Sequence, residues 1–174
     1  MSRSKPQETP FTGPVWWRAG IYLAVALLVQ VELMHFFRFR DAEVSLVLVV
    51  VVWYSIRVDA KRAAVYGLLA GLGEDILAAQ TGAAWTISTT ITAILAGMLS
   101  RGFFADSMPL ATAIVAIATL IRSLLFWIVM ALEGYPPGYA ALHLHQSLWQ
   151  ALLNAVFVAV VMLALRYRET LSAR

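Results

Sequence analysis

The chain has 174 residues, 61% of them hydrophobic and 13% charged, against about 45–50% and about 25% in a soluble domain. Its formal net charge is +3 and its isoelectric point is near 9.5, yet no basic run with interleaved aromatics accompanies the excess, which excludes a nucleic-acid partner. Cysteine is absent, which removes disulfides, thiolate metal sites and a Cys nucleophile. A mean hydropathy of +0.77 points to a polytopic membrane protein with room for one compact helical bundle and no second domain.

Taken in chain order, residues 1–14 read as a cytoplasmic tail compatible with disorder, 15–168 as one integral membrane domain and 169–174 as a second cytoplasmic tail. A membrane helix needs about 20 apolar residues. The hydropathy predicts six spans, at about 16–37, 42–57, 62–80, 83–101, 108–132 and 143–166. The first follows a basic segment, as a signal peptide would. Its apolar core is too long for one, however, and ends in HFFRFR without a small-residue cleavage site, so it reads as an uncleaved anchor. The second, SLVLVVVVWYSI, is β-branched and would be a buried strand in water. In lipid an isolated strand cannot satisfy its backbone, so a helix is expected, with Glu43 and Arg57 reaching the two interfaces.

Arg3, Lys5 and Arg18 precede the first span. Arg57, Lys61 and Arg62 lie between the second and third, Arg101 follows the fourth, and Arg166, Arg168 and Arg174 follow the sixth. Only Arg38 and Arg40 fall on the opposite side, so the positive-inside rule places both termini in the cytoplasm. Trp16, Trp17, Trp53 and Tyr54 would then mark the inner interface and Trp85 the outer one. The connections are short, the longest being EGYPPGYAAL, and leave no extramembrane enzyme domain.

The third span carries GLLAGLGEDILAAQTG, with two adjacent carboxylates inside an apolar helix. Ala63, Gly67, Gly71, Glu74 and Ala78 share one face, and the Gly-x-x-x-Gly spacing lets another helix approach closely. Asp75 flanks that face. A charge at mid-bilayer costs at least about 2.5–3.5 kcal/mol, so both carboxylates must face protein or a cavity. Arg122 in the fifth span lies at the same depth, about 20 Å along parallel helices, and is expected to pair with Asp75 or Glu74. A structural ion pair is the first reading; a proton or substrate path and a partner-helix site are the others. In the sixth span His143, Ser147, Gln150 and Asn154 share one face, read as interhelical hydrogen bonding or as a pocket or partner surface. Glu32 and His35, one turn apart near the outer end of the first span, read as side chains snorkelling to the interface, or as a pair with each other or at the outer mouth of a cavity at Asp75. The Ser88, Thr89, Thr90, Thr92 cluster reads as helix–helix contact. His143 and His145 diverge by about 200° on a helix and have no third ligand, so neither metal nor cofactor is expected.

The order DAEVSLVLVVVVWYSIR, a basic loop, and then GLLAGLGEDILAAQTGAAW resembles the bacterial rod shape-determining MreD family. The matching positions are Gly67, Gly71, Leu72, Asp75 and Gly82, the last opening the next helix, with Asn154 in the final span. The resemblance is strongest over about 41–100. It implies a six-helix transmembrane bundle in the bacterial inner membrane, similar in fold to the substrate-binding subunits of energy-coupling-factor transporters. It also implies a non-enzymatic component of the cell-elongation machinery that binds MreC and helps regulate peptidoglycan synthesis. MreB, RodA and its penicillin-binding transpeptidase would be indirect partners. The Gly-x-x-x-Gly face and the sixth-span stripe are the candidate binding surfaces. The rival reading is a substrate-binding membrane subunit of a vitamin-type transporter, with Arg122, Asp75, His143 and Asn154 around a pocket. An intramembrane enzyme is not expected, because Glu74 and Asp75 point about 100° apart on a helix.

Overall fold

The computed structural model describes residues 15–32, 36, 38–79, 81–99 and 107–172. These residues are helical: α1 (Trp16–Glu32), α2 (Leu46–Ser55), α3 (Ala60–Ala78), α4 (Ala84–Leu99), α5 (Met108–Leu132) and α6 (Ala140–Ser172), with a 3-10 turn at Pro137–Tyr139 leading into α6. The expected tail at 1–14, together with His35 and Arg101, lies outside the described residues. α5 and the stretch Pro137–Arg168 are long and apolar enough to cross a membrane, whereas α2 and α4 are shorter apolar helices. α6 runs on to Ser172, so the segment expected as a tail from 169 begins as helix.

The second element is a ten-residue helix rather than a span over 42–57. Before it, Arg40 (φ 50) and Asp41 (φ 62) both adopt left-handed conformations. Phe39 and Ala42 exchange backbone hydrogen bonds of 2.8 and 3.0 Å across them. This is a two-residue turn of the kind that reverses a chain tightly, and α2 cannot begin until it is complete. Asp59 then caps α3, accepting from the N–H groups of Lys61 and Arg62 at 3.0 and 3.1 Å.

α2 is the axis of the bundle. It touches α1, α3, α4, α5 and α6, and these follow one another around it in that order. Its apolar surface goes all round, as a buried helix requires. Val47, Val51 and Tyr54 enter a core shared with α1 and α3, including Leu23, Ala63 and Tyr66. Leu48, Val52 and Ile56 enter a second core with α4, α5 and α6, including Ala96, Ala118 and Val158. Alanine and valine together make up most of both cores.

The tightest joint is between α3 and α4. A Cβ on Gly67 would sit 2.5 Å from Ala93 Cβ, and one on Gly71 would sit 2.5 Å from Thr86 Cα. The outer surface is apolar on each of the five helices around α2, with Leu28, Ile76, Met98, Leu124 and Val160 all exposed, while Arg122, Thr89, Thr92, Thr119 and Asn154 are buried. That is the reverse of a soluble bundle, and it suits a surrounding solvent of hydrocarbon. The end carrying the 38–45 and 133–139 connections is called upper here, and the end carrying the α2–α3 connection lower.

Candidate functional site

Arg122 is 2% exposed and Glu74 10% at their side chains, and they form an ion pair in the middle of the bundle. Arg122 Nη1 donates to Glu74 Oε1 at 2.9 Å and Oε2 at 3.1 Å, and Nη2 donates to Ser45 Oγ at 2.9 Å. Thr89 Oγ1 donates to Glu74 Oε2 at 3.1 Å. The Arg122 guanidinium lies 4.7 Å above the Trp85 ring, which itself stacks on Phe126. Trp85, expected to mark the outer interface, stands at the upper end of α4 beneath a buried cation. Both partners of the pair are hydrogen-bonded on several sides, which a buried ion pair needs to offset its desolvation.

Asp75 takes a different job. Its two oxygens accept from Thr81 Oγ1 (2.8 Å), Trp85 N (3.1 Å), Thr86 N (2.8 Å) and Thr86 Oγ1 (2.6 Å). It caps the N-terminus of α4 from a neighbouring helix and satisfies amides that have no intrahelical acceptor. Of the two carboxylates expected as partners of Arg122, Glu74 takes the ion pair and Asp75 does not. The physical reason is helix rotation: with Gly67 and Gly71 pressed on α4, Asp75 meets the start of α4 and Glu74 turns toward α5. Gly82 (φ +55) makes the turn that brings α4 back, and a Cβ there would lie 2.8 Å from a Glu133 carboxylate oxygen. The Gly-x-x-x-Gly face is covered by α4 of the same chain, so it offers no surface to a partner.

The network continues to α6. Asn154 Oδ1 accepts from Ser45 N at 2.8 Å, and Asn154 Nδ2 donates to Thr119 Oγ1 at 2.9 Å. Gln30 of α1 accepts from Val47 N at 3.1 Å. The first amides of α2, which begins inside the bundle, thereby find side-chain acceptors on the first and last helices.

The other members of the α6 stripe face the same way. Gln150 Nε2 donates to the Glu43 carbonyl (3.2 Å), and Ser147 Oγ lies 2.8 Å from Ser123 Oγ. His143 Nε2 lies 3.0 Å from the Ser123 carbonyl, which only a protonated Nε2 can use. Since the imidazole meets a carbonyl rather than the Ser147 hydroxyl, the two do not form a nucleophile–base pair. Glu32 is exposed at the end of α1, and its expected companion His35 is not described.

Above the ion pair opens a cavity of about 830 Å³. Glu74, Arg122 and Trp85 line its depth, His143, Ser147 and Gln150 line one wall, and Arg38, Asp41 and Glu43 stand on its rim. The rim is held by an Arg38–Glu43 contact of 3.4 Å and by Arg40 lying 4.6 Å over the Trp149 ring. Glu43, expected to reach an interface, stands on the cavity rim at the upper end of the bundle. Ser45, Thr119 and Ser123 were not singled out from the sequence, and Trp85 only as an interfacial aromatic. Only Ser45 carried a local sign, as the one polar residue ahead of a purely apolar run.

No three His, Asp or Glu side chains converge in metal-ligating geometry among the described residues. Comparison with protein-family models, with curated proteins and with solved structures returns no match.

Proposed function

We propose that this chain is an MreD-like, non-enzymatic membrane component of the bacterial cell-elongation machinery, a six-span bundle of the inner membrane with both termini cytoplasmic. The observation that carries the reading is that four residues of the resemblance, Gly67, Gly71, Asp75 and Gly82, form one joint, while Leu72 is exposed. Gly67 and Gly71 admit α4, Asp75 caps it, and Gly82 makes the turn between them. Asn154 anchors the start of α2. A motif whose members interlock in this way supports descent from a common bundle better than a matching string of glycines does.

On this reading α2 crosses as part of the bundle. At 1.5 Å per residue it is about 15 Å long, half the hydrocarbon thickness. It is sheathed by protein, and its upper end opens on a cavity, where irregular backbone is tolerated. The polar cavity is then the surface that meets MreC, reached from the periplasmic side. The α6 stripe forms its wall, while the Gly-x-x-x-Gly face drops out.

One observation favours a second reading, a substrate-binding subunit of a vitamin-type transporter: about 830 Å³ falls within the range of small-molecule pockets, about 300–1,000 Å³. Affinity purification from native membranes in mild detergent separates the two. A single-span partner with a periplasmic coiled coil, together with wall synthases, is the expected recovery. Recovery of ATPase subunits with their membrane coupling protein would instead establish the transporter subunit.

A further inference from the structure

The bundle has a second concavity, at the lower end and on the opposite side of α2. It is a groove of about 720 Å³ between α1 and α6, floored by α2 and the start of α5. Its walls are almost wholly apolar, formed by residues such as Val25, Val50, Phe157 and Val161. Its lower end is different. Trp53 and Arg57 stand there, with the guanidinium 4.6 Å over the indole and Nη1 donating to the Trp53 carbonyl at 2.8 Å. Tyr22 sets its ring edge-on to Trp53 at 5.8 Å. The same end is rich in positive charge, because Arg166 and Arg168 follow Leu165 of the groove wall and Arg18 lies one turn before Tyr22.

We infer that this groove holds an anionic phospholipid of the cytoplasmic leaflet, its acyl chains along α2 and its phosphate at Arg57. This rests on the membrane topology proposed above. Charge complementarity selects the occupant: a groove that is dry along its length and cationic at the headgroup end matches an acidic lipid, and basic pockets between helices on the cytoplasmic side bind such headgroups.

The test is native mass spectrometry of the detergent-purified chain, exchanged with equimolar phosphatidylglycerol and phosphatidylcholine of identical acyl composition. Preferential retention of phosphatidylglycerol is expected. Arg57→Gln should lower that preference about fivefold, the loss of one interfacial cation. Val161→Trp, an exposed position that fills the groove without entering the core, should abolish retention of both lipids. Equal retention of the two lipids, or a preference that neither variant changes, overturns the inference. So does a photo-crosslinker at Val161 that captures a protein helix in native membranes in place of lipid. Alkaline carbonate extraction separates the two levels of failure. A chain that stays in the membrane but shows no lipid preference sinks only the groove assignment; a chain released by carbonate sinks the topology with it.

Discussion

Arg122 is held by Glu74, Ser45 and the Trp85 ring, and removing it strands a carboxylate in a buried place. Arg122→Met is expected to destabilise the bundle by about 3–5 kcal/mol, read as a fall in the melting temperature of the detergent-purified protein. The double variant Arg122→Met with Glu74→Leu should recover most of that loss, because no uncompensated charge remains. A double variant as unstable as the single would mean that the arginine acts through Ser45 rather than through the carboxylate. At this scale the sequence was informative about depth and silent about rotation. Counting residues from the lower end put Arg122 level with Glu74 and Asp75, since rise per residue is a constant of the helix. Which of the two carboxylates faces α5 depends on how α3 is turned. That is set by Gly67 and Gly71 against Ala93 and Thr86, contacts between segments that no local pattern records.

Among elements, the α3–α4 joint and the head of α2 are the sensitive points. Gly71→Ala drives a Cβ toward Thr86 Cα and to 2.6 Å from the Trp85 carbonyl oxygen, both backbone atoms that cannot rotate away. A loss of about 1–3 kcal/mol is expected in the same thermal assay, whereas Gly138→Ala, in open space, should stay within about 0.5 kcal/mol. Asp75→Ala removes acceptors from four hydrogen bonds and should reach or exceed the about 2 kcal/mol upper end for a helix cap. Asn154→Leu leaves the Ser45 amide buried without an acceptor, at about 1–3 kcal/mol. The helices themselves were legible because apolar length and breaker residues are local properties. The short α2 was not, because hydropathy ran on through 42–45 and gave no weight to the Arg40–Asp41 turn that delays its start. The cap on α4 was invisible for a related reason: its acceptor belongs to a different helix.

For the molecule as a whole, the inverted distribution of polarity and the two concavities matter most. The chain contains no cysteine, so single cysteines report topology without background. With an impermeant maleimide on intact spheroplasts, Gly138→Cys is expected to label and Lys61→Cys to label only after permeabilisation. The opposite pattern would place the upper cavity in the cytoplasm and remove it from any periplasmic partner. Composition alone pointed to membrane association, and among the described residues α5 and the stretch Pro137–Arg168 are long and apolar enough to cross. The cavities had no signature in one dimension. The upper one is assembled from α3, α4, α5, α6 and the rim at 38–43, and the lower groove from α1, α2, α5 and α6.

The anchoring of α2 also sets a timetable for biogenesis. The Ser45 amide waits for Asn154, 109 residues later in the chain, and the Glu43 carbonyl waits for Gln150, 107 residues later. At about 5–20 residues per second, the ribosome delivers those partners about 5–20 s after α2 has emerged. Through that interval Gln30 of α1 can already serve Val47 N, but the Ser45 amide stands without its acceptor. The last helix is therefore the closing step of assembly, and a chain stopped short of α6 would carry its own mark of incompleteness for membrane proteases to read.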